Sequence, residues 1–340
     1  MIQEKEDLLF LQQIAREWDL GNLLSPPKKI SGGLTHKMAR LTTEKADLAV
    51  KLLSAEIMAR EDAKGNFSVA EEWEEKMEAL SLPAVYAIKK DGKKMHRLEG
   101  RYYYLFPWFE GRILKQEEIT IRQAEKMGNL LAKIHQIGKS EGEKESVPEM
   151  DFDRPVSLLA SVDAELYAIF LDVLPLLKEK IARAKAAQNH LPTTQSLCHN
   201  DMDPKNVLWQ ADRETFALID LECLSPGSPH KELLETAMAW SGASEEVFDP
   251  ARMQAFLSAY LKENKDLPAA CWSAVLDSFV GEMEWLAFNL RRVLEKETFS
   301  LKEQALGKEE CIKTITQIKI KESRREQILS VTESCFCDKK

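Results

Sequence analysis

Between residues 198 and 220 the chain sets a dense group of polar side chains against short apolar runs. CHNDMDPKNVLW (198–209) carries His199, Asp201, Asp203 and Asn206, and ALIDLE (217–222) then sets Asp220 at the end of an apolar run. Polar groups shielded from water are costly unless something pairs with them. The stretch therefore reads as a polar loop followed by a short strand pair, VLWQ and FALID, with its carboxylates and amide turned toward a shared partner.

The remainder of the chain divides by pattern. Residues 4–20 repeat apolar side chains at helical spacing (Leu8, Leu11, Ile14, Ala15, Trp18). After SPP at 25–27 the period shortens to strand-like pieces, PKKISGG, KMARLTT and DLAVKLL. A helix is predicted over 67–80, with Ala70, Trp73, Met77 and Leu80 on one stripe, stopped by Pro83. Two further strands, AVYAI and GRYYYLFPWF, follow on either side of the turn KKDGKK. Beyond Gly111 helical period dominates: IRQAEKMGNLLAKIHQIG ends at Gly138, and helices are predicted at 157–188, 231–242, 251–262, 272–297 and 308–330. This pattern predicts an α+β chain, with a β-rich N-terminal lobe over 1–107 and a helical lobe over 108–340.

Composition narrows the partners. The chain has 47 Lys and Arg against 56 Asp and Glu, a formal charge of −9. Without a local basic patch such a surface repels nucleic-acid phosphates and anionic lipid, and it suits a cationic ligand. No apolar run reaches the roughly 18 residues that a membrane helix requires, and the acidic start MIQEKED does not resemble a signal peptide. The six cysteines lack zinc-site spacing. A cytoplasmic protein with reduced thiols is expected.

His199, Asp201 and Asn206 fit His-x-Asp-x-x-x-x-Asn, a catalytic-loop pattern of phosphoryl transfer. The chemistry demands these types: a carboxylate to take the proton of an attacking hydroxyl, and an amide oxygen with a second carboxylate, Asp220, to hold Mg²⁺. His199 would orient the loop from below. Upstream, LAVK (48–51) presents Leu48, Val50 and Leu52 on one strand face and Ala49, Lys51 and Leu53 on the other. A lysine beside a small residue suits phosphate pairing next to a base. Glu71 on the following helix can reach Lys51. SGGLTHKM (31–38) offers paired glycines through which backbone amides can approach phosphates. His135, on its amphipathic helix, reads as a packed, hydrogen-bonded core residue.

SGGLTHK, LAVK, FPWFEGR, MGNLLAKIHQIG, HNDMDPKNVLW and LIDLE occur in the order found in the aminoglycoside phosphotransferase and choline kinase-like superfamily, which the chain resembles over roughly 28–240. The resemblance implies a protein-kinase-like two-lobed fold. It implies Asp201 as catalytic base, Asn206 and Asp220 as Mg²⁺ ligands, Lys51 on the phosphates and Glu71 as its anchor. Ser31, Gly32, Gly33 and Thr35 would cover the nucleotide, and Phe106, Trp108 and Phe109 would line a hinge that reads its base. The chain departs from many members at Asn200, where they carry Gly, at His36 (often Asn), at Leu221 (often Trp) and at Lys205 (often Gly).

The function expected is transfer of a γ-phosphate from ATP, with GTP as the alternative, to a small-molecule hydroxyl. An amino-bearing polyol such as an aminoglycoside is the first acceptor class, and choline, a sugar or an amino alcohol the second. Carboxylates at Asp203, Glu232, Glu235, Asp277, Glu282 and Glu284, with Trp285, are the candidate acceptor residues; on one helix Asp277 and Glu284 would share a face. A nucleotide-binding module without turnover would have lost Lys51, Asp201, Asn206 or Asp220, and all four are present.

Overall fold

The computed structural model describes residues 2–30, 36–142, 146–295 and 298–336. Ser31, Gly32, Gly33 and Thr35 lie outside the described residues, as does Cys337. Packing divides the chain into two compact units, 1–114 with 199–225, and 115–198 with 226–340. This differs from a cut at 107: the chain returns to the first unit for the loop and ribbon that hold Asp201 and Asp220.

The first unit opens with helix α1 (Ile2–Glu17). Strands β1 (Lys28–Ile30), β2 (Lys37–Thr42) and β3 (Asp47–Leu52) follow, then a helical turn α2 (Ala55–Met58) and helix α3 (Ala63–Ala79). Strands β4 (His96–Leu98) and β5 (Arg101–Pro107) complete an antiparallel sheet in the order β1-β2-β3-β5-β4. In β3–β5, Ala49 lies opposite Phe106 and Lys51 opposite Tyr104, while Val50 faces Leu105 and Leu52 faces Tyr103. Directly opposed residues of a pleated pair share a face, so the sheet has two. Leu41, Leu48, Val50, Leu52, Tyr103 and Leu105 bury themselves with Phe10, Leu11 and Ile14 of α1. On the other face, Leu53 and Tyr104 pack with Phe67 of α3. Lys51 stands on that second face, as the alternation in LAVK requires.

One expected strand is absent. AVYAI is extended chain with a single bridge, Ala84 to Leu218, and β4 lies further on. The β4–β5 hairpin turns through Glu99 and Gly100, at φ +46° and +82°, the paired positive values of a two-residue turn that matches strand twist. KKDGKK closes on itself, Lys90 pairing with Lys93. The acidic face of α3 is only partly solvated: Glu74 is buried, 3.0 Å from the buried Lys94 ammonium.

The second unit is helical. Its elements are α4 (Ile121–Ile134), strand β6 (Ser140–Glu141), α5 (Asp153–Val162), α6 (Ala164–Ala187), strand β7 (Thr194–Cys198), α7 (Pro229–Ser241), α8 (Pro250–Glu263), α9 (Trp272–Asp277), α10 (Gly281–Leu294), α11 (Leu301–Ser323) and α12 (Arg325–Phe336). Helix α4 packs so closely on α8 that a Cβ at Gly128 would lie 2.2 Å from the Phe256 carbonyl oxygen. Three predicted helices are each two. Asp163 accepts the Leu166 amide at 3.0 Å and restarts the chain as α6. Arg324, between α11 and α12, donates to the carbonyls of Gly242, Ala243, Glu245 and Glu246. Residues 278–280 separate α9 from α10, where the Ser278 hydroxyl donates back to the Val275 carbonyl. Asp277 and Glu284 therefore do not share a helix face.

His135 sits in this unit's core as its sequence setting predicts. It lies 2.8 Å from the Tyr260 hydroxyl through Nδ1 and 2.7 Å from the Glu232 carboxylate through Nε2. Among the described residues no helix is long and apolar enough to cross a membrane.

Candidate active site

The residues that sequence assigns to catalysis, metal and phosphate belong to the first unit. The polar loop runs from His199 through a 3-10 turn, Pro204–Asn206, into the ribbon β8 (Val207–Trp209) and β9 (Phe216–Leu218). His199 is fully buried, and its Nδ1 accepts the Asp201 amide at 3.3 Å. Asn200 is at φ +63°, the left-handed region that Asn tolerates better than most residues. That explains how it stands where many members have Gly. Its amide also donates to the Cys223 carbonyl at 2.8 Å and the Ser225 hydroxyl at 2.9 Å, joining the loop to the segment after Asp220.

Asn206 fixes the Asp201 side chain. Its Nδ2 donates to the Asp201 carbonyl and to Asp201 Oδ2, both at 2.8 Å, so its own side-chain oxygen is turned away from Asp201. The Ile219 amide donates to the Asn206 carbonyl at 2.9 Å, which brings Asp220 beside this loop. Asp220 itself adopts a left-handed conformation, φ +64° and ψ +60°, which Asp, like Asn, visits more readily than most side chains. An amide oxygen and a carboxylate are the hard donors Mg²⁺ takes, so Asn206 and Asp220 fit the ion. Lys205 stands 3.0 Å from Asp201 Oδ1 and 3.5 Å from Asp203. Burial would depress the Lys205 ammonium, but Asp201 and Asp203 outweigh it and raise its pKa.

Lys51 is buried, and its ammonium meets Asp220 Oδ1 at 2.6 Å and the carboxylate of Glu222. Burial alone would push its pKa down, but these two carboxylates, Asp220 first, hold it above the ordinary lysine value. The pairing with Glu71 implied by resemblance is not the one formed. Glu71 accepts the Tyr104 hydroxyl at 2.7 Å, because Tyr104 lies opposite Lys51 in the sheet and reaches α3 first. Glu222 went unread in the sequence, although it is a second acid two residues past Asp220 within an otherwise apolar run. His36 Nε2 lies 3.5 Å from Glu222. Burial would raise the Glu222 carboxyl, but His36 and Lys51 bring it down to about 2.

At the expected hinge, Phe106 lies opposite Ala49. The Trp108 amide donates to the Asp47 carbonyl at 2.9 Å, and the Arg40 guanidinium covers its ring at 4.0 Å. Phe109 is half-buried.

The acceptor residues predicted in the second unit are largely committed to local partners. Glu232 is buried against His135. Asp277 pairs with Arg325 at 2.8 Å and stands 3.5 Å from Arg183; Glu282 pairs with Lys321 at 2.6 Å. The Trp285 indole nitrogen donates to Glu310. Glu235 and Glu284 are exposed. Asp277 and Glu282 thus meet cations on other helices, Arg325 and Lys321, which sequence spacing along one segment does not count.

Known proteins resemble this chain in the same sense. The model of the phosphotransferase enzyme family matches residues 27–269. A homoserine kinase of Pseudomonas aeruginosa (strain LESB58) is 27% identical over 227 residues, which cover 64% of this chain and 67% of that protein. A spectinomycin phosphotransferase solved with ADP and spectinomycin superposes with a TM-score of 0.63 at 14% identity, covering 90% of this chain and 96% of its own. The choline kinase of Cryptosporidium parvum Iowa II gives a TM-score of 0.56 at 14% identity, over 96% and 99%. These likenesses establish a kinase-like α+β fold, a β-sheet unit followed by a mainly helical one.

Proposed function

Because the chain belongs to the phosphotransferase enzyme family, we propose that it transfers the γ-phosphate of ATP to the hydroxyl of a small amino-bearing alcohol in the cytoplasm. The observation that carries this reading is the Asp201–Asn206–Asp220–Lys51 arrangement. A carboxylate is fixed by an amide, with a second carboxylate and a buried ammonium on the adjoining segments.

In the proposed reaction the acceptor hydroxyl attacks the γ-phosphorus in line. Its proton passes to Asp201, the new P–O bond forms, and the bond to the β-phosphate oxygen breaks to release ADP. Asn206 holds Asp201 in register through the transfer, and Lys51 binds phosphate oxygens. Asn206 and Asp220 would hold Mg²⁺, which neutralises phosphate charge when bound. Positioning and charge neutralisation supply most of the acceleration in such reactions.

An aminoglycoside-like polyol remains the first acceptor class. The homoserine kinase likeness favours a second, a small amino alcohol or hydroxy amino acid. Both join a hydroxyl to an amine, which suits a chain of charge −9. The test is ATP consumption, with mass detection of the phosphorylated product, over spectinomycin, other aminoglycosides, choline, ethanolamine and homoserine, with a neutral sugar, glycerol and glycerate as amine-free acceptors. Turnover with one amine-bearing alcohol is expected. Turnover confined to neutral or anionic acceptors would reject the amine requirement.

A further inference from the structure

Glu222 holds two side chains, Lys51 and His36, in a way that the assignments above leave unexplained. It follows Asp220 by two residues, in the 3-10 turn Leu221–Cys223. One of its oxygens takes the Lys51 ammonium, and the other faces His36 Nε2 at 3.5 Å. His36 is itself fixed: its Nδ1 accepts the Ser54 amide at 3.0 Å. An Nδ1 that accepts leaves the ring proton on Nε2, directed at Glu222. The Lys51 side chain is 10% exposed and that of Glu222 25%, so the pair is shielded enough for its geometry to matter. Glu71, the helix carboxylate expected in this place, is bound to Tyr104.

We propose that Glu222 is the positioning residue for Lys51 in nucleotide binding, taking the part that resemblance gives to Glu71, with His36 as its support. The inference rests on the phosphotransferase reading of Lys51. A lysine ammonium is a point charge on a flexible stem, so it meets a phosphate productively only when something restricts it. Asp220 touches the ammonium as well, yet a carboxylate committed to an ammonium offers less charge to a metal ion. A second carboxylate on Lys51 removes that conflict.

The experiment is calorimetric titration of the full chain with ADP, once with Mg²⁺ and once with EDTA. Wild-type protein that bound no ADP would sink the nucleotide reading itself, a result distinct from failure of this inference. Glu222→Gln should weaken ADP about tenfold in both arms, and Glu71→Gln should weaken it less. In a Lys51→Ala background Glu222→Gln should add nothing, a coupling that general loss of structure does not produce. The proposal is overturned by a loss confined to the Mg²⁺ arm, which makes Glu222 a metal ligand. It is overturned equally by additivity with Lys51→Ala, or by a larger loss from Glu71→Gln. Should Glu222→Gln not fold, Glu222→Asp, which keeps the charge on a shorter arm, carries the same titrations and the same outcomes.

Discussion

Asn206 donates both to the Asp201 carbonyl and to the Asp201 carboxylate, each at 2.8 Å. One side chain thus sets the loop's main chain and the Asp201 carboxylate it carries. Asn206→Ala removes both bonds and one candidate metal oxygen, and turnover should fall at least about 10- to 100-fold. The check is a comparison of kcat with the Mg²⁺ concentration at half-maximal rate. Both should change, and a variant altered in neither would remove Asn206 from the site.

Asp201→Ala separates binding from chemistry. The acid faces Lys205 and Asn206 and makes no contact with Lys51 in the structure. ADP affinity should therefore stay within a few-fold of wild type while transfer drops by about 10²–10⁴, the usual contribution of a general base. Near-normal turnover with the best acceptor would show that another group takes the proton.

Asp220→Asn should raise the Mg²⁺ requirement steeply, because it removes charge from a hard oxygen donor. It also takes one of two carboxylates from Lys51. A rate that falls without a shift in Mg²⁺ dependence would confine Asp220 to positioning Lys51.

The loop, the Lys51 strand and the α+β order were legible because each follows from short-range rules. Alternation puts Lys51 on the sheet face away from α1, and His-x-Asp-x-x-x-x-Asn lies within eight consecutive residues. What was not legible depended on contacts between distant segments. Glu71 had the right helix and spacing, but Tyr104, 33 residues away, claims its carboxylate. Glu222 reaches Lys51 across 171 residues, a pairing no local pattern encodes. The breaks after Val162, Asp277 and Ser323 fall inside continuous helical period. They are decided by a cap, by a serine back-bond and by an arginine that binds carbonyls from another segment.

Glu232 illustrates the same limit and yields a stability prediction. Buried against His135 at 2.7 Å, it belongs to the core of the second unit. Glu232→Ala leaves a buried histidine without that partner and should cost about 1–3 kcal/mol. Thermal or denaturant unfolding measures this. A change in acceptor KM at unchanged stability would instead return Glu232 to the acceptor site.

His230 carries a prediction about acid. Its Nε2 donates to the Pro268 carbonyl at 2.9 Å, and its ring lies 5.8 Å from that of Trp272. Its Nδ1 is buried and has no hydrogen-bond partner among the described residues. A proton added at Nδ1 would be buried and unpaired. Burial accordingly depresses the His230 pKa below its ordinary 6.5, with His135 adding to the effect and the Pro268 bond opposing it. Below pH 6.5 the unfolded chain takes up this proton and the folded chain resists it. Stability from this residue is thus complete above about pH 6.5 and is lost as pH falls toward the folded value, with a slope of at most about 1.4 kcal/mol per pH unit for one proton. His96, also depressed chiefly by burial, adds its own slope over the same range. His230→Gln cannot titrate and is expected to keep the bond to Pro268. Urea unfolding between pH 5 and 8 should give the variant a shallower acid slope than wild type, with the residual slope of His96 remaining. Parallel pH profiles for the two proteins would show that His230 takes its proton as readily folded as unfolded, against the geometry around Nδ1.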